Sequence, residues 1–369
     1  MRILLIGSYA PSILNFRGPL IRALLDRGHA VTVSCPGMDE ALCETLRGMG
    51  VVPCESGVER TGLNPLADLR YMSELKGIMR EHRIEFVLTY TAKPNIWGSF
   101  AARALGIPCA AMVTGLGLMF TGSPGTAKMR VVAGMVRRLY RRATDYNRAV
   151  VFQNPDDLAD FVAAGCLGDR GKATIVDGSG VDTGRFGAQP LPDEPVFLLI
   201  ARLLGNKGVR EYGEASLRLG ARHPHARFLL GGFIDEGHDS IAQAELDRWV
   251  AGGVEYLGSL ADVREALAAC SVYVLPSYRE GTPRTVLEAM ATGRAIVTTD
   301  APGCRETTQE GVNGLLVPVA DVDALERAME RLLLDPAERR RMGAESRRIA
   351  EERYDAVKVS ADLVAKLGL

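Results

Sequence analysis

Long apolar runs are missing from the sequence. None approaches the roughly 18 residues that a transmembrane helix requires, and the opening stretch MRILLIGSYAPS reaches turn-forming residues too early for a secretory signal peptide. Short tandem repeats and low-complexity segments are missing as well. With 47% hydrophobic and 24% charged residues among 369, the composition is that of a globular protein long enough for two domains. We therefore expect a cytoplasmic protein.

Cysteine and histidine are scarce, and their placement argues against disulfide and metal sites. The seven cysteines include no C-x-x-C pair and are odd in number, which favours reduced, buried thiols. Of the five histidines, only His238 follows a predicted strand at a plausible ligand site. The one D-x-D sequence, from Asp321 to Asp323, precedes a helical segment and is typical of a helix cap. We expect no essential metal ion and no other cofactor.

Short apolar runs alternate with amphipathic segments along most of the chain. Runs such as RILLIG and AVTVSC indicate strands, and the segments between them have helical periodicity. Buried strands alternating with helices predict a parallel sheet that is covered on both faces. The alternation restarts at VFLLIAR, so we predict an α/β protein with two Rossmann-like domains facing a central cleft. The predicted bounds are 1–183 for the first domain, 184–195 for a linker, 196–345 for the second domain, and 346–369 for a C-terminal helix that is a candidate to cross back onto the first domain.

Two carboxylates occupy a place where the backbone favours an anion. In CSVYVLPSYREGTPRTVLEAMATG, Thr282 suits an N-cap, Pro283 the first helical position and Gly293 the helix end. Ligands bind at the carboxyl ends of such strands, and helix-start amides attract negative charge. A carboxylate in this turn is therefore electrostatically unexpected unless a ligand needs it. Glu280 in the turn and Glu288 on the helix suit a ligand whose hydroxyls donate to carboxylates. A favourable early-helix charge would explain Glu288 alone.

The turn after VFLLIAR carries the opposite charge. Arg202 at the strand end and Lys207 in the loop supply two cations, and Gly205 and Gly208 flank the start of the next helix. A planar guanidinium, an ammonium and free helix amides together predict a diphosphate site. A solvated loop would account for Lys207 alone, but less well for both cations beside the glycines. With the two glutamates, the pattern predicts a site for a sugar nucleotide.

These motifs in combination resemble glycosyltransferase family 4, the retaining enzymes of GT-B fold, and the resemblance covers nearly the whole chain. It rests on ARLLGNKG, GSGVD, the two glutamates with seven residues between them, and AIVTTDAPGCRETTQEGVNGLLVP. In addition, TYTAKPNIWGSFAARALGIP, VTGLG and LPSYREG are similar to segments of bacterial transferases acting on polyprenyl-pyrophosphate-linked sugars. The resemblance implies transfer of an N-acetylhexosamine from a UDP-sugar during surface-glycan or glycoprotein-glycan assembly. N-acetylgalactosamine is the first candidate for the transferred sugar.

The resemblance also assigns roles by position. Arg202 and Lys207 would hold the donor diphosphate, and Glu280 the transferred sugar. The full donor set is Arg202, Lys207, Glu280, Gly281, Thr282, Pro283, Glu288 and Gly18. The acceptor-side set is Asn15, Phe16, Arg17, Lys93, Asn95 and Thr114. The catalytic set is Glu280, Arg202, Lys207 and Lys93. Two loops depart from the family: NFRGP replaces a glycine pair, and TAKPN replaces a loop with a histidine.

A basic segment at 126–150 bears on where in the cell the protein lies. It has seven basic residues and one acidic residue, interleaved with apolar residues at helical spacing. The apolar residues are Met129, Val132, Met135, Val136, Leu139 and Tyr140. The pattern fits a helix on an anionic membrane surface, and equally the solvated face of a packed helix. The first interpretation places the protein peripherally at the inner face of the cytoplasmic membrane, near a lipid-linked saccharide acceptor.

Two other functions fit part of the pattern. A UDP-sugar 2-epimerase of the same fold would also bind UDP, but it needs acid and base groups that the histidines do not supply. A non-catalytic two-domain ligand-binding protein would require export, for which no signal peptide is visible.

Overall fold

The computed structural model describes residues 1–57, 64–116, 127–235 and 239–369, and only the backbone at 127–129. The described chain divides into two compact units, each built on a parallel sheet. We call Met1–Ser179 together with Val357–Leu369 unit 1, and Gly180–Ala356 unit 2. The predicted α/β class with two Rossmann-like domains is confirmed.

The sheet of unit 1 has seven strands in the described residues, in the order β3-β2-β1-β4-β5-β6-β7. Every pairing is parallel. The strands β4 and β5 are buried at every residue, because helices cover both faces of a sheet of this kind. The strands are Arg2–Ile6 (β1), Ala30–Cys35 (β2), Val52–Glu55 (β3), Phe86–Tyr90 (β4), Cys109–Val113 (β5), Ala149–Phe152 (β6) and Ala173–Ile175 (β7).

The helices of unit 1 begin where the sequence supplies caps. Asn64 and Asn154 each accept a hydrogen bond from a first-turn amide, and a proline follows each of them at the first helical position. The helices are Pro11–Asp26 (α1), Glu40–Gly48 (α2), Pro65–Glu81 (α3), Ser99–Leu105 (α4), Ala127–Tyr146 (α5) and Pro155–Ala163 (α6). A π-helical turn, Pro94–Gly98, precedes α4.

The sheet of unit 2 has six strands among the described residues, in the order β10-β9-β8-β11-β12-β13. The strands are Val196–Ile200 (β8), Arg227–Gly231 (β9), Val254–Gly258 (β10), Val272–Leu275 (β11), Ala295–Thr299 (β12) and Gly314–Val317 (β13). The helices are Val209–Arg222 (α7), Gln243–Ala251 (α8), Arg264–Ala269 (α9), Arg284–Thr292 (α10), Val322–Leu334 (α11) and Pro336–Arg353 (α12). A final helix, Ala356–Leu367 (α13), ends the chain.

In both sheets the strand order reverses once. The reversal lies between β1 and β4 in unit 1, and between β8 and β11 in unit 2. Loops on either side of such a point leave the sheet in opposite directions, which opens a crevice at the carboxyl ends of the strands. Each unit therefore has one position where its topology favours a ligand.

The predicted linker 184–195 lies inside unit 2. Arg347 donates hydrogen bonds to the carbonyl oxygens of Thr183 and Phe186, and the buried Arg294 donates to that of Pro190 at 3.1 Å. The amide of Gln189 donates to Thr292 O at 3.1 Å. The composition predicts a linker here. In the structure, hydrogen bonds from arginines distant in sequence hold the segment within unit 2.

The C-terminal segment forms two helices rather than one. The described α12 ends at Arg353 and belongs to unit 2, whereas residues from Val357 onward belong to unit 1. Leu363, Val364 and Leu367 are buried in the core cluster of unit 1 that also contains β1 and α1 residues. The chain thus finishes in the unit where it started.

The helices of the described ranges include none that is both long and apolar enough to cross a bilayer. The seven cysteines carry free thiols, and five of them are buried, as the sequence predicts for small apolar side chains.

Candidate functional site

The two turns that the sequence singles out lie against each other in unit 2. Both follow strands at the reversal point, β8 and β11. The amide of Tyr278 donates to Asn206 O at 2.9 Å. Gly208 has φ +71°, and a Cβ there would lie 2.1 Å from Pro276 O, so only glycine allows this approach. The basic and acidic turns therefore form one site.

Lys207 and Glu280 form an ion pair at the centre of this site. Lys207 Nζ lies 2.5 Å from Glu280 Oε1, and the side chains are 19% and 17% exposed. Ser277 Oγ donates to the same carboxylate oxygen at 2.8 Å. An ammonium has three donors, so Lys207 can hold Glu280 and still present N–H groups to a bound anion. The predicted diphosphate cation and the predicted sugar carboxylate are thus in direct contact.

Arg202 pairs with a carboxylate that follows the neighbouring strand. Its Nη1 atom lies 2.6 Å from Asp235 Oδ2, and its side chain is 51% exposed. Asp235 follows β9, the strand next to β8. Sequence reasoning missed this carboxylate, although a polar residue after a buried strand is the signal used for the other turns.

Glu288 lies on α10 and is paired with a residue one turn earlier. Arg284 Nε donates to Glu288 Oε1 at 2.8 Å, and Glu288 is only 7% exposed. Burial raises the pKa of the Glu288 carboxyl, and the positive charge of Arg284 opposes that shift. A carboxylate this deeply buried, with a neighbouring arginine that favours its charged form, suits hydrogen bonds from ligand hydroxyls.

The start of α10 differs from the prediction. Pro283 has extended backbone and is the N-cap residue, and α10 begins at Arg284, one residue later than expected. Proline cannot supply the side-chain oxygen of an ordinary cap, but its carbonyl accepts from Val286 N at 3.1 Å. The predicted end is correct, since Gly293 terminates the helix at φ +85°. Gly281 and Thr282 lie in the turn between β11 and α10.

At the reversal point of unit 1 lies Tyr90, a residue that the sequence analysis does not single out. Tyr90 ends β4, its hydroxyl lies 3.1 Å from Ser12 Oγ, and the Arg17 guanidinium lies 4.8 Å from its ring centroid. A Cβ on Gly7 would lie 2.3 Å from the Tyr90 hydroxyl oxygen. The next residue, Thr91, has φ +71°. Left-handed backbone at a β-branched residue costs about 1–3 kcal/mol and is concentrated at functional sites.

The predicted loop at Asn15 to Gly18 is helical. α1 begins at Pro11, so these residues form its second turn instead of preceding it. The sequence suggests a later start because Gly18 and Pro19 resemble a helix opening, whereas Pro19 lies inside the helix. Asn15 and Phe16 are exposed, and Arg17 is 5% exposed.

The three remaining acceptor-side predictions have different surroundings. Lys93 Nζ lies 2.9 Å from Asp68 Oδ1 of α3, with the side chains 14% and 8% exposed. Asn95 is 1% exposed and donates to Met112 O at 2.9 Å, so it ties the backbone together instead of facing an acceptor. Thr114 is half-buried directly after β5. His238 lies outside the described residues.

Comparison with known proteins adds an independent line of evidence. Residues 17–177 match the glycosyl transferase 4-like domain, and residues 194–335 match glycosyl transferases group 1. A Campylobacter jejuni protein, N,N'-diacetylbacillosaminyl-diphospho-undecaprenol alpha-1,3-N-acetylgalactosaminyltransferase, is 31% identical over 350 residues, covering 91% of this chain and 90% of that protein. The Escherichia coli UDP-Gal:alpha-D-GlcNAc-diphosphoundecaprenol alpha-1,3-galactosyltransferase is 24% identical, covering 73% of this chain and 72% of that one.

A solved structure supports the same fold. The crystal structure of Anabaena HepE in complex with UDP is similar with a TM-score of 0.79 at 18% identity, over the full length of both chains. With the two parallel sheets, the matched domains and the Campylobacter relative, the chain belongs to glycosyltransferase family 4 and is a glycosyltransferase of GT-B fold.

Proposed function

We propose that this enzyme moves an N-acetylhexosamine, specifically N-acetylgalactosamine, from a UDP-sugar to a polyprenyl-pyrophosphate-linked saccharide with retention of configuration. The observation that carries the proposal is the contact of Lys207 with Glu280 at the reversal point of unit 2. A cation touching a carboxylate matches the junction of a nucleotide sugar, where the diphosphate meets a hydroxyl-bearing ring.

The choice of donor and acceptor is supported by the relatives. The Campylobacter relative is named as an N-acetylgalactosaminyltransferase acting on an undecaprenol-diphosphate sugar, and the E. coli relative as using UDP-Gal on a similar acceptor class. The Anabaena neighbour binds UDP. In this chain, the nearly buried carboxylate of Glu288 suits the two hydroxyls of a ribose.

The proposed reaction needs no protein nucleophile. The acceptor hydroxyl attacks the anomeric carbon from the face that the diphosphate leaves, the bond from that carbon to the phosphate oxygen breaks, and the hydroxyl proton passes to the departing diphosphate. Lys207 and Arg202 neutralise the charge that grows on the leaving group. Glu280 accepts hydrogen bonds from the sugar as the ring gains positive character.

On the acceptor side, we propose that Asn15, Phe16, Lys93 and Thr114 contact the saccharide. Lys93 is held by Asp68 in a largely buried pair, so its ammonium donors are fixed in position while Asp68 balances their charge. We propose Arg17 as a support for Tyr90, over whose ring it lies.

The proposed function is tested by incubation with a panel of UDP-sugars and a synthetic lipid-linked acceptor. A transferase yields UDP and a longer lipid-linked glycan, and we expect the largest yield with UDP-N-acetylgalactosamine. A new UDP-sugar without acceptor extension would identify a 2-epimerase. Binding without either product would identify a non-catalytic ligand-binding protein.

We also propose that catalysis needs no metal ion, because the two cations of the donor turns serve the role that a metal serves elsewhere. Activity is expected to survive excess EDTA. The measurement is UDP release before and after chelation, with magnesium and manganese added back. Activity that disappears with EDTA and returns with either metal would contradict the proposal.

The basic helix α5 is the proposed contact with an anionic membrane surface. Val136 and Tyr140 are buried in a core cluster of unit 1, so the packed-helix interpretation is correct for that face. The opposite face exposes Val131 at 73% and Met135 at 43%, and Arg138 is exposed beside them. Exposed apolar residues beside arginines suit the headgroup region of an anionic bilayer.

Reversing the charge of Arg130, Arg138 and Arg142 to glutamate is expected to weaken binding to vesicles containing phosphatidylglycerol by at least about a hundredfold. Each basic residue near an anionic surface contributes about 1 kcal/mol, and 1.4 kcal/mol is tenfold in affinity. Arg141 is left unchanged because it already pairs with Asp145 at 2.9 Å. Co-sedimentation with the vesicles measures the effect.

A matched control reverses three other exposed arginines of unit 1, Arg22, Arg80 and Arg103. It makes the same change in net charge elsewhere, and we expect it to retain most of the vesicle binding. Equal binding by the α5 variant and the unmodified enzyme would leave only the packed-helix role. Equal losses in both variants would assign the effect to net charge rather than to α5.

A further inference from the structure

The turn that carries Glu280 is held from two directions by residues that the predicted donor set does not include. One contact reaches the carboxylate and the other reaches the backbone. We infer that Ser277 and Gly303 are positioning residues for Glu280, fixing the carboxylate against the donor sugar. The inference rests on the proposed role of Glu280 in holding that sugar.

Ser277 fixes the carboxylate. It is fully buried, and its hydroxyl lies 2.8 Å from Glu280 Oε1, against 3.2 Å from Asn206 O and 3.4 Å from Arg279 O. A hydroxyl has one proton to donate, and the charged oxygen is both the nearest and the strongest acceptor. The hydroxyl therefore acts on the same carboxylate oxygen as Lys207.

The end of β12 keeps Ser277 in place. The Thr299 hydroxyl donates to the carbonyl oxygen of Ser277, and the Cys304 thiol lies 3.8 Å from the same oxygen. The Thr298 hydroxyl donates to Leu275 O at 2.6 Å. Side chains of the neighbouring strand thus anchor the turn before it reaches Glu280.

Gly303 fixes the backbone. The amide of Glu280 donates to Pro302 O at 2.9 Å. Gly303 has φ +81°, and a Cβ there would lie 2.1 Å from Glu280 O and 2.7 Å from Gly281 O. No side chain fits without moving the peptide that follows Glu280. The loop after β12 therefore sets the position of Glu280 by direct contact.

A carboxylate held by Lys207, Ser277 and its own backbone is already placed when the sugar arrives. Donors and acceptors placed in advance stabilise a transition state without reorganisation, and a shift of about 1 Å can cost a hundredfold in rate. Ser277 and Gly303 would then affect turnover of the sugar and leave the affinity for UDP nearly unchanged.

The experiment is a pair of double-mutant cycles. Ser277→Ala and Gly303→Ala are each made in the natural enzyme and in a Glu280→Ala background, and kcat and UDP affinity are measured. In the natural enzyme we expect losses in kcat of about tenfold for Ser277→Ala and about a hundredfold for Gly303→Ala. In the Glu280→Ala background both losses should shrink to about twofold, because coupled residues are not additive.

Gly311→Ala is the control for backbone strain. Gly311 has φ +73°, similar to Gly303, but a Cβ there would meet nothing within 4 Å. We expect Gly311→Ala to keep nearly full turnover. A loss equal to that of Gly303→Ala would overturn the role of Gly303, because it would show that strain alone causes the effect.

The remaining outcomes separate the inference from the proposed function. Normal turnover in Glu280→Ala would overturn the role of Glu280 itself. A different result is that Glu280→Ala lowers turnover while Ser277→Ala and Gly303→Ala cost as much kcat in that background as in the natural enzyme. That result would overturn only the positioning inference. Should thermal melting show that Gly303→Ala does not fold, the nearly isosteric Ser277→Ala cycle decides the inference.

Discussion

Lys207→Ala is expected to lower kcat by about a hundredfold or more. The ammonium lies at the reversal point of unit 2, in contact with Glu280, and removal of one placed transition-state contact typically costs a factor of a hundred to a thousand. Arg202→Ala should cost less, because its side chain is half exposed and already pairs with Asp235. Steady-state UDP release with saturating donor and acceptor measures both changes.

Affinity for UDP distinguishes two explanations of that loss. If Lys207 holds the diphosphate, its removal weakens UDP binding as well as turnover. If it serves only to orient Glu280, UDP affinity stays unchanged. Arg227→Ala is a matched control, since Arg227 pairs with Glu255 at the amino end of β9, and it should leave both quantities unaltered. Normal turnover in Lys207→Ala would reject the diphosphate assignment.

Glu288→Gln and Glu280→Gln are expected to have separable effects. Glu288→Gln should weaken the binding of UDP and UDP-sugar alike, by up to about 1.5–3 kcal/mol, the range for a hydrogen bond to a charged group. Both ligands contain the proposed ribose contact. Glutamine keeps the shape of the side chain and can still accept from Arg284, so α10 should remain intact.

Glu280→Gln should leave UDP affinity nearly intact and reduce turnover. Its proposed partner is the transferred sugar, which UDP does not contain, and the contact gains importance as the ring becomes positive. Calorimetry with UDP on both variants, at about pH 8 because burial raises the pKa of Glu288, is paired with turnover of the full donor. Equal losses of UDP affinity would show that the Glu280 turn serves the nucleotide.

The sequence predicts the two donor turns because each follows an apolar strand and contains charged residues that a buried strand end cannot otherwise explain. Because β8 and β11 are neighbouring parallel strands, Lys207 and Glu280 come into contact although 72 residues separate them in the chain. The partners Asp235, Arg284 and Ser277 were not predicted. Their importance depends on distances across the sheet or along a helix, which the linear pattern does not contain.

At two boundaries the structure differs from what the local residues suggest. Gly18 and Pro19 suggest a helix start, but the helix tolerates the proline and begins at Pro11. The composition of 184–195 suggests a linker, but Arg347 and Arg294 bind its carbonyl oxygens. At 184–195, contacts from outside the stretch outweigh the local residue preferences. In α1, Pro11 already occupies the start of the helix, so Pro19 falls inside it.

The return of α13 to unit 1 has a consequence for protein synthesis. Leu363, Val364 and Leu367, which are 0–4% exposed, are synthesised after all of unit 2, so unit 1 cannot complete its core until unit 2 has been made. Unit 2 is contiguous over Gly180–Ala356 and is complete earlier. Domains usually fold from the N-terminus onward during synthesis, and here we expect the later-made unit to become protease-resistant first. Limited proteolysis of ribosome-bound chains in which Ala356 has emerged from the ribosome, but Leu363 has not, would reveal this order. Simultaneous protection of both units would contradict it.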